Sequence, residues 1–191
     1  VRKIVVTEFI SLDGIFEDPG GAENYKHGGW TRAYWSDEIG KIKFAELMAA
    51  DAHLLGRVTY EGFAKAWPNA KDTGEFGDRM NNLPKYVIST TLQKAEWNNS
   101  TIIKENVPEA ISKLKQQPGQ DILVAGSGQL VRTLNQHGLV DEYHLLVYPV
   151  VLGSGKRFFK DENDMLSLKL VEAKPVGSSV VYLVYQPERK Q

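Results

Sequence analysis

The stretch Asp121-Ile122-Leu123-Val124-Ala125-Gly126-Ser127-Gly128-Gln129-Leu130 is an apolar run that breaks into glycines and then resumes with helical spacing. A run this short ending in a glycine turn reads as a buried strand, and Gln129 to Gln136, stopped by Gly138, reads as a helix. Glycine lets a backbone come close to a ligand, and the free N–H groups of a first helical turn favour an anion such as a pyrophosphate. The full G-x-G-x-x-G is absent and no Walker lysine follows. Two readings therefore stand, a phosphate cradle or an ordinary tight strand-to-helix turn.

Working outward, a second glycine turn lies in Pro149–Phe159, PVVLGSGKRFF, after the strand-like run from Glu142. One helix and one strand separate the two turns, a spacing that can bring both to one end of a sheet, where α/β proteins hold nucleotides. A third strand-to-helix junction is Leu54-Leu55-Gly56-Arg57-Val58-Thr59-Tyr60-Glu61. Here Arg57 can grip a phosphate with its planar fork, and Thr59 can cap the helix or bond a phosphate oxygen. The plainer alternative is a surface arginine beside an N-cap threonine. Ser89-Thr90-Thr91 place hydroxyls at the end of a strand from Tyr86, where such groups also satisfy backbone.

The remaining chain alternates. Ile4 to Ile10 reads as a strand closed by the Asp13-Gly14 turn, and a glycine-marked loop then carries Trp30, Tyr34 and Trp35. Ser36 suits an N-cap, with Asp37 and Glu38 in the first turn of a helix running to about Ala50. A short strand ends at Gly56, Thr59 opens a helix to Trp67, and Lys71 to Asn82 reads as a polar surface loop. Thr101 to Lys104 is a strand, and Pro108 opens a helix that ends before Pro118-Gly119. From Glu142 onward three strand-like runs follow with no helix between them. Alternation followed by strands alone predicts an α/β fold: a mostly parallel central sheet, helices on both faces and an antiparallel C-terminal hairpin. No repeat or linker divides residues 1–191, which read as one domain.

Composition narrows the function. Hydrophobic residues make up 42% and charged residues 25%, ordinary for a globular protein, and the net charge of −1 comes with no basic block to bind nucleic acid. There is no cysteine, which removes thiolate metal sites and thiol catalysis and agrees with a reducing cytoplasm. No apolar run approaches a membrane span. His27, His53, His137 and His144 show no metal-ligand spacing, so no metal is expected. Ser11 and Ser127 lie outside any G-x-S-x-G elbow. His144 sits inside a strand, where a satisfied half-buried histidine is the plain account. Trp30, Tyr34 and Trp35 fit an aromatic wall, core packing or a dimer contact equally well.

Gly56-Arg57-x-Thr59, then a strand ending in Ser89-Thr90, then Gly126-Ser127-Gly128 opening a helix, resembles the dihydrofolate reductase fold in the right order. Ser11-Leu12-Asp13-Gly14 and the Gly153-Ser154-Gly155-Lys156 turn narrow the resemblance to the reductase domain of the bifunctional riboflavin-biosynthesis deaminase/reductase and its stand-alone relatives. The likeness spans nearly the whole chain. It implies reduction with NADPH. Gly56, Arg57 and Thr59 then match the segment at the cofactor's phosphates, and Ser89 and Thr90 the hydroxyls near the adenosine 2′-phosphate. Gly126, Ser127 and Gly128, running into Gln129 and Leu130, match the turn under the pyrophosphate, with a cis bond expected between Gly126 and Ser127. Asp13 and Lys156 are the candidates for substrate, the first for a heterocycle or ribityl hydroxyl, the second for a phosphate. The family also implies a homodimer built on the C-terminal strands.

The chain departs from dihydrofolate reductase at two points. The helix position where that enzyme carries a pteridine-binding carboxylate falls near Gly40, and the basic residue that often follows the glycine turn is Gln129. The zinc signature of the deaminase half cannot exist without cysteine. The implied function is an NADPH-dependent reductase resembling 5-amino-6-(5-phosphoribosylamino)uracil reductase. The alternatives are a dihydrofolate, pterin or other small-carbonyl reductase, or a catalytically silent nucleotide-binding module. No catalytic side chain is assigned.

Overall fold

A computed structural model describes residues 1–160 and 164–188. Eight strands form the sheet: β1 (Ile4–Ser11), β2 (Ala50–Gly56), β3 (Lys85–Ile88), β4 (Ser100–Ile103), β5 (Asp121–Ala125), β6 (Glu142–Tyr148), β7 (Leu168–Val176) and β8 (Val180–Pro187). The helices are α1 (Asp37–Ala49), α2 (Arg57–Ala66), α3 (Gly74–Asn82), α4 (Val107–Gln116) and α5 (Gly128–Gln136). The strand order is β4-β3-β2-β5-β1-β6-β8-β7. The fold is the mainly parallel α/β sheet with an antiparallel C-terminal hairpin that the alternation of elements predicted.

The chain forms two compact units, one of Val1–Val6 with Lys43–Val140, the other of Thr7–Ile42 with the segment from Asp141 onward. In the first, β2 runs parallel to both β3 and β5, and β3 parallel to β4. A parallel strand is covered on both faces, which is why β2 and β5 are apolar nearly throughout. Leu55, Val87 and Leu123 meet Tyr60 of α2, Met80 of α3 and Trp97 in one core cluster.

Two polar side chains share that interior. His53 and Lys85 are register partners on β2 and β3, exposed by only 2% and 0%. The Lys85 ammonium donates to the carbonyls of Asn81 (2.9 Å), Leu83 (2.8 Å) and Asn98 (2.9 Å), and stands 4.1 Å above the Trp97 ring. It thereby terminates α3 as a bound cation would, although burial pushes its pKa down to about 8. Neither His53 ring nitrogen has a partner. Burial, reinforced by Lys85 and Lys43, pushes its pKa down to about 3, so the ring is neutral.

The segment expected as a surface loop, Lys71 to Asn82, contains α3. Its two glycines and two asparagines give little helix propensity, so tertiary contacts supply the stability. Asn81 donates to the Trp67 carbonyl and accepts from Trp97 Nε1, and Arg79 donates to the Ala50 carbonyl. Gly77 makes room for the Thr73 side chain, which a Cβ would overlap.

In the second unit β8 pairs antiparallel with β6 and β7. Trp30, Ile39, Leu146, Tyr148, Val176 and Tyr182 belong to its core cluster. The three loop aromatics separate: Trp30 is buried against Tyr148, Tyr34 packs beside it, and Trp35 stands 64% exposed. Ser36 Oγ accepts from the Ile39 amide, the N-cap contact the sequence suggested. His144 lies 3.1 Å from both Glu142 and the Tyr182 hydroxyl, a satisfied half-buried histidine.

Candidate functional site

Three strand ends of the first unit line up. Register places Leu54 opposite Val124 and Gly56 opposite Ile88. The residues that follow each strand, Ser89-Thr90, Gly56-Arg57 and Gly126-Ser127, therefore emerge side by side. From β2 the chain moves outward to β3, whereas β5 lies on the other side of β2, and such a reversal at the carboxyl ends of parallel strands makes a ligand crevice.

The two junctions interlock. A Cβ on Gly56 would overlap the Ser127 hydroxyl, and a Cβ on Gly126 would overlap the Thr59 side chain. Each glycine is thus required by the side chain of the opposite turn, and the first turns of α2 and α5 sit against one another. Gly126 also needs its positive φ of 67°. Among the described residues no peptide bond is cis, so the cis bond expected between Gly126 and Ser127 is trans. Consecutive left-handed residues reverse the backbone instead, since Ser127 follows at φ 60°.

Ser127 N-caps α5 by accepting from the Leu130 amide at 3.3 Å. Leu130 itself is buried and Gln129 exposed. Thr59 is not the cap of α2. It is the third residue of that helix, whose N-cap is Gly56, because the helix begins as soon as the strand ends. Its hydroxyl faces Gly126 instead. Arg57 is the first residue of α2, half-exposed, and donates to Glu61 Oε2 at 2.9 Å. Ser89 Oγ accepts from the amides of Thr91 (3.2 Å) and Leu92 (3.0 Å), which closes the turn after β3, and Thr90 is exposed.

Asp13 and Lys156 belong to the second unit, where residues 11–17 and 149–158 are laced together. Asp13 Oδ1 accepts from Ser11 Oγ (2.6 Å) and the Leu152 amide (3.1 Å), and Oδ2 from the Gly153 amide (2.8 Å). Partial removal from water works against ionisation here, but the donors from Ser11, Gly153 and Leu152 outweigh it and hold the pKa at about 2. The Lys156 amide donates to Glu17 Oε2 at 2.8 Å and its carbonyl accepts from the Phe16 amide, leaving its side chain exposed. Tyr25 donates to the Ser154 carbonyl, and an Ile15–Arg157 bridge completes the clamp.

Gly40, where a folate-binding carboxylate would fall, faces the Trp35 indole, whose edge would stand 3.2 Å from an added Cβ. Among the described residues no cluster of three or more His, Asp or Glu side chains could hold a metal ion. No helix of the described residues is long and apolar enough to cross a membrane.

Glu17, Tyr25 and Glu61 were not singled out by sequence reasoning. Glu61 was within reach, because it lies one helical turn beyond Arg57. Glu17 and Tyr25 had no local signal, since their partners are 139 and 129 residues away.

Sheet order and interlocked turns define an α/β protein of dihydrofolate reductase type. The family model of the RibD C-terminal domain matches residues 2–182, and the chain belongs to that family. It is 32% identical over 187 residues to YyaP of Bacillus subtilis (strain 168), covering 96% of this chain and 94% of that protein. A Shewanella sp. PV-4 protein whose structure carries a riboflavin-biosynthesis designation superposes with a TM-score of 0.77 at 20% identity, covering 98% of this chain and all of the other. Dihydrofolate reductase of Enterococcus faecalis, solved in complex with NADP(H), superposes with a TM-score of 0.62 at 14% identity, covering 98% and 97%. At such identities the two structures speak for the fold.

Proposed function

We propose that the protein is an NADPH-dependent reductase acting on a small nitrogen heterocycle or sugar imine, of the kind typified by 5-amino-6-(5-phosphoribosylamino)uracil reductase. The observation that carries this reading is the double interlock, Gly56 against Ser127 and Gly126 against Thr59. Two helix N-termini brought together at glycines, with only the small Ser127 and Thr59 side chains between them, suit a dinucleotide pyrophosphate, whose oxygens need close backbone donors. Gly126, Ser127 and Gly128 would hold the pyrophosphate, and Arg57, Thr59, Ser89 and Thr90 the adenosine phosphates. Hydride donation is the chemistry that a reduced nicotinamide supplies when bound.

The chain's own part is binding and orientation. Asp13, with its pKa at about 2, remains a carboxylate at neutral pH and serves as an acceptor, not a proton donor. It holds Leu152 and Gly153 in place, and its exposed carboxylate would also accept from a substrate hydroxyl or N–H. Lys156, its backbone pinned to Phe16 and Glu17, offers an exposed ammonium to a substrate phosphate. The proton then comes from water. Dihydrofolate is disfavoured by Gly40 and the indole beside it.

A homodimer through β7 belongs to the same reading. It is an edge strand exposing Leu170 and Val171, and light scattering should return twice the chain mass. We assign the activity to the cytoplasm, in keeping with a cysteine-free chain.

The test is NADPH oxidation in the presence of 5-amino-6-(5-phosphoribosylamino)uracil and, separately, dihydrofolate. Oxidation with the first and not the second supports the proposal. Oxidation with dihydrofolate alone replaces the substrate class. Binding of NADPH without oxidation by either reduces the protein to a nucleotide-binding module.

A further inference from the structure

Arg57 occupies a costly place. As the first residue of α2 it sets a cation at the positive end of a helix dipole, with no acidic residue in the first turn to offset it. The helix gains little from the pair with Glu61. An arginine preceding its carboxylate by four residues is the weaker order, and both side chains are half-exposed, at 45% and 48%. Helix stability therefore does not explain Arg57. An anion brought by a ligand would.

Among the residues of the three turns, Gly56 to Thr59, Ser89-Thr90 and Gly126 to Gln129, Arg57 alone carries a positive charge. One of its nitrogens, Nη1, already donates to Glu61 Oε2 at 2.9 Å. A phosphate reaching for the guanidinium meets a carboxylate beside it. Two anions then compete for one cation. An unphosphorylated ribose meets the same carboxylate as an acceptor for its hydroxyl, which is how acidic residues favour the plain dinucleotide at other nucleotide sites.

We propose that Glu61 is a built-in competitor for the Arg57 guanidinium and sets the preference of this site between a 2′-phosphorylated and an unphosphorylated dinucleotide. The proposal rests on the dinucleotide reading above and deepens it. The wild-type site discriminates weakly between the two ligands because the one cation of its three turns is shared. Removing the carboxylate charge frees the fork for phosphate and deprives the ribose of its acceptor.

The experiment is fluorescence titration of the full chain and its Glu61→Gln and Arg57→Ala variants with NADPH and NADH, at low and at moderate salt. Circular dichroism checks that each variant remains folded. For Glu61→Gln, NADPH affinity should rise about three- to ten-fold, the effect of removing one like charge a few ångströms from a phosphate in a solvated site. NADH affinity should hold or fall, and the gain should shrink with added salt. Arg57→Ala should abolish whatever NADPH preference the wild type has. If both ligands bind but Glu61→Gln leaves their ratio unchanged, or moves it toward NADH, the role of Glu61 is refuted and the dinucleotide site stands. If the wild type binds neither ligand, the dinucleotide reading fails, and the proposal with it.

Discussion

The cradle of the first unit and the clamp of the second are built in opposite ways. The cradle is made where strands run directly into turns, within a few residues of chain: Gly56 to Thr59, Ser89-Thr90 and Gly126 to Gly128. Its parts are mostly backbone, and its tight fit depends on side chains being absent at two glycines. The clamp is made of carboxylates, Asp13 and Glu17, each reaching an amide 139 or 140 residues along the chain. One feature tolerates no added atom, and the other depends on particular oxygens. Mutations should therefore break the two by different routes.

The largest effect is expected at Gly126. Gly126→Ala forces a Cβ into the Thr59 side chain at a positive φ, a strain of about 1–3 kcal/mol that the turn can relieve only by moving. NADPH affinity should fall at least about ten-fold, the arithmetic equivalent of 1.4 kcal/mol. Unchanged affinity by titration would mean that the turn does not contact the ligand.

Asp13→Asn comes next and separates the two regions. It replaces one carboxylate oxygen with an NH2 group, which faces either the Gly153 amide or the Leu152 amide and Ser11 hydroxyl, and should cost about 1 kcal/mol per lost hydrogen bond. Turnover should fall while NADPH affinity stays within about two-fold, an outcome consistent with a clamp that acts on the substrate side. A parallel loss of NADPH binding would show that the clamp also serves the cofactor.

Acid separates the regions a second way. His53 has a folded pKa depressed from 6.5 to about 3, so the unfolded chain binds more protons between those values and stability falls as pH drops through that window. Asp13 is depressed from 3.8 to about 2, so its contribution is complete above pH 3.8 and is lost as pH falls toward 2. Denaturant melts should show the first unit weakening earlier. His53→Leu should remove the slope between pH 6.5 and 3 and raise stability at neutral pH by about 1 kcal/mol, because it deletes ring nitrogens that have no partner. A slope that survives this substitution would place its source elsewhere.

The smallest effect is expected at Lys156. Its side chain is exposed and its structural role is carried by the backbone, so Lys156→Ala should leave the melting temperature unchanged. With a phosphorylated substrate KM should rise about two- to five-fold, the scale of one solvated charge pair. An unaltered KM would remove Lys156 from the substrate site.

Legibility in the sequence followed the same division. The turn residues of the cradle could be found because glycine after an apolar run is a local signal. β5 ran over the expected residues, Asp121 to Ala125. The region of α3 reads as a loop because its helicity comes from Asn81, Arg79 and Gly77 meeting Trp67, Trp97, Ala50 and Thr73, contacts no window of sequence displays. Thr59 reads as the cap of α2, but the helix begins two residues before it, at Arg57, with Gly56 as its N-cap. The bond expected to be cis, between Gly126 and Ser127, is a trans bond between left-handed residues.

By itself the sequence determined the order of the eight strands and of every helix but α3, the parallel-then-antiparallel plan and the positions of the three turns. Hydrophobic period and glycine placement act over a few residues and need no partner. Only the tertiary structure decided that Gly56 and Gly126 are glycines on account of Ser127 and Thr59. It also decided that Asp13 holds a loop 140 residues away and that Lys85 can be buried as a charge. Each of these depends on the partner that fills or satisfies the site, and that partner is chosen by sheet register and chain return, which no short stretch of sequence contains.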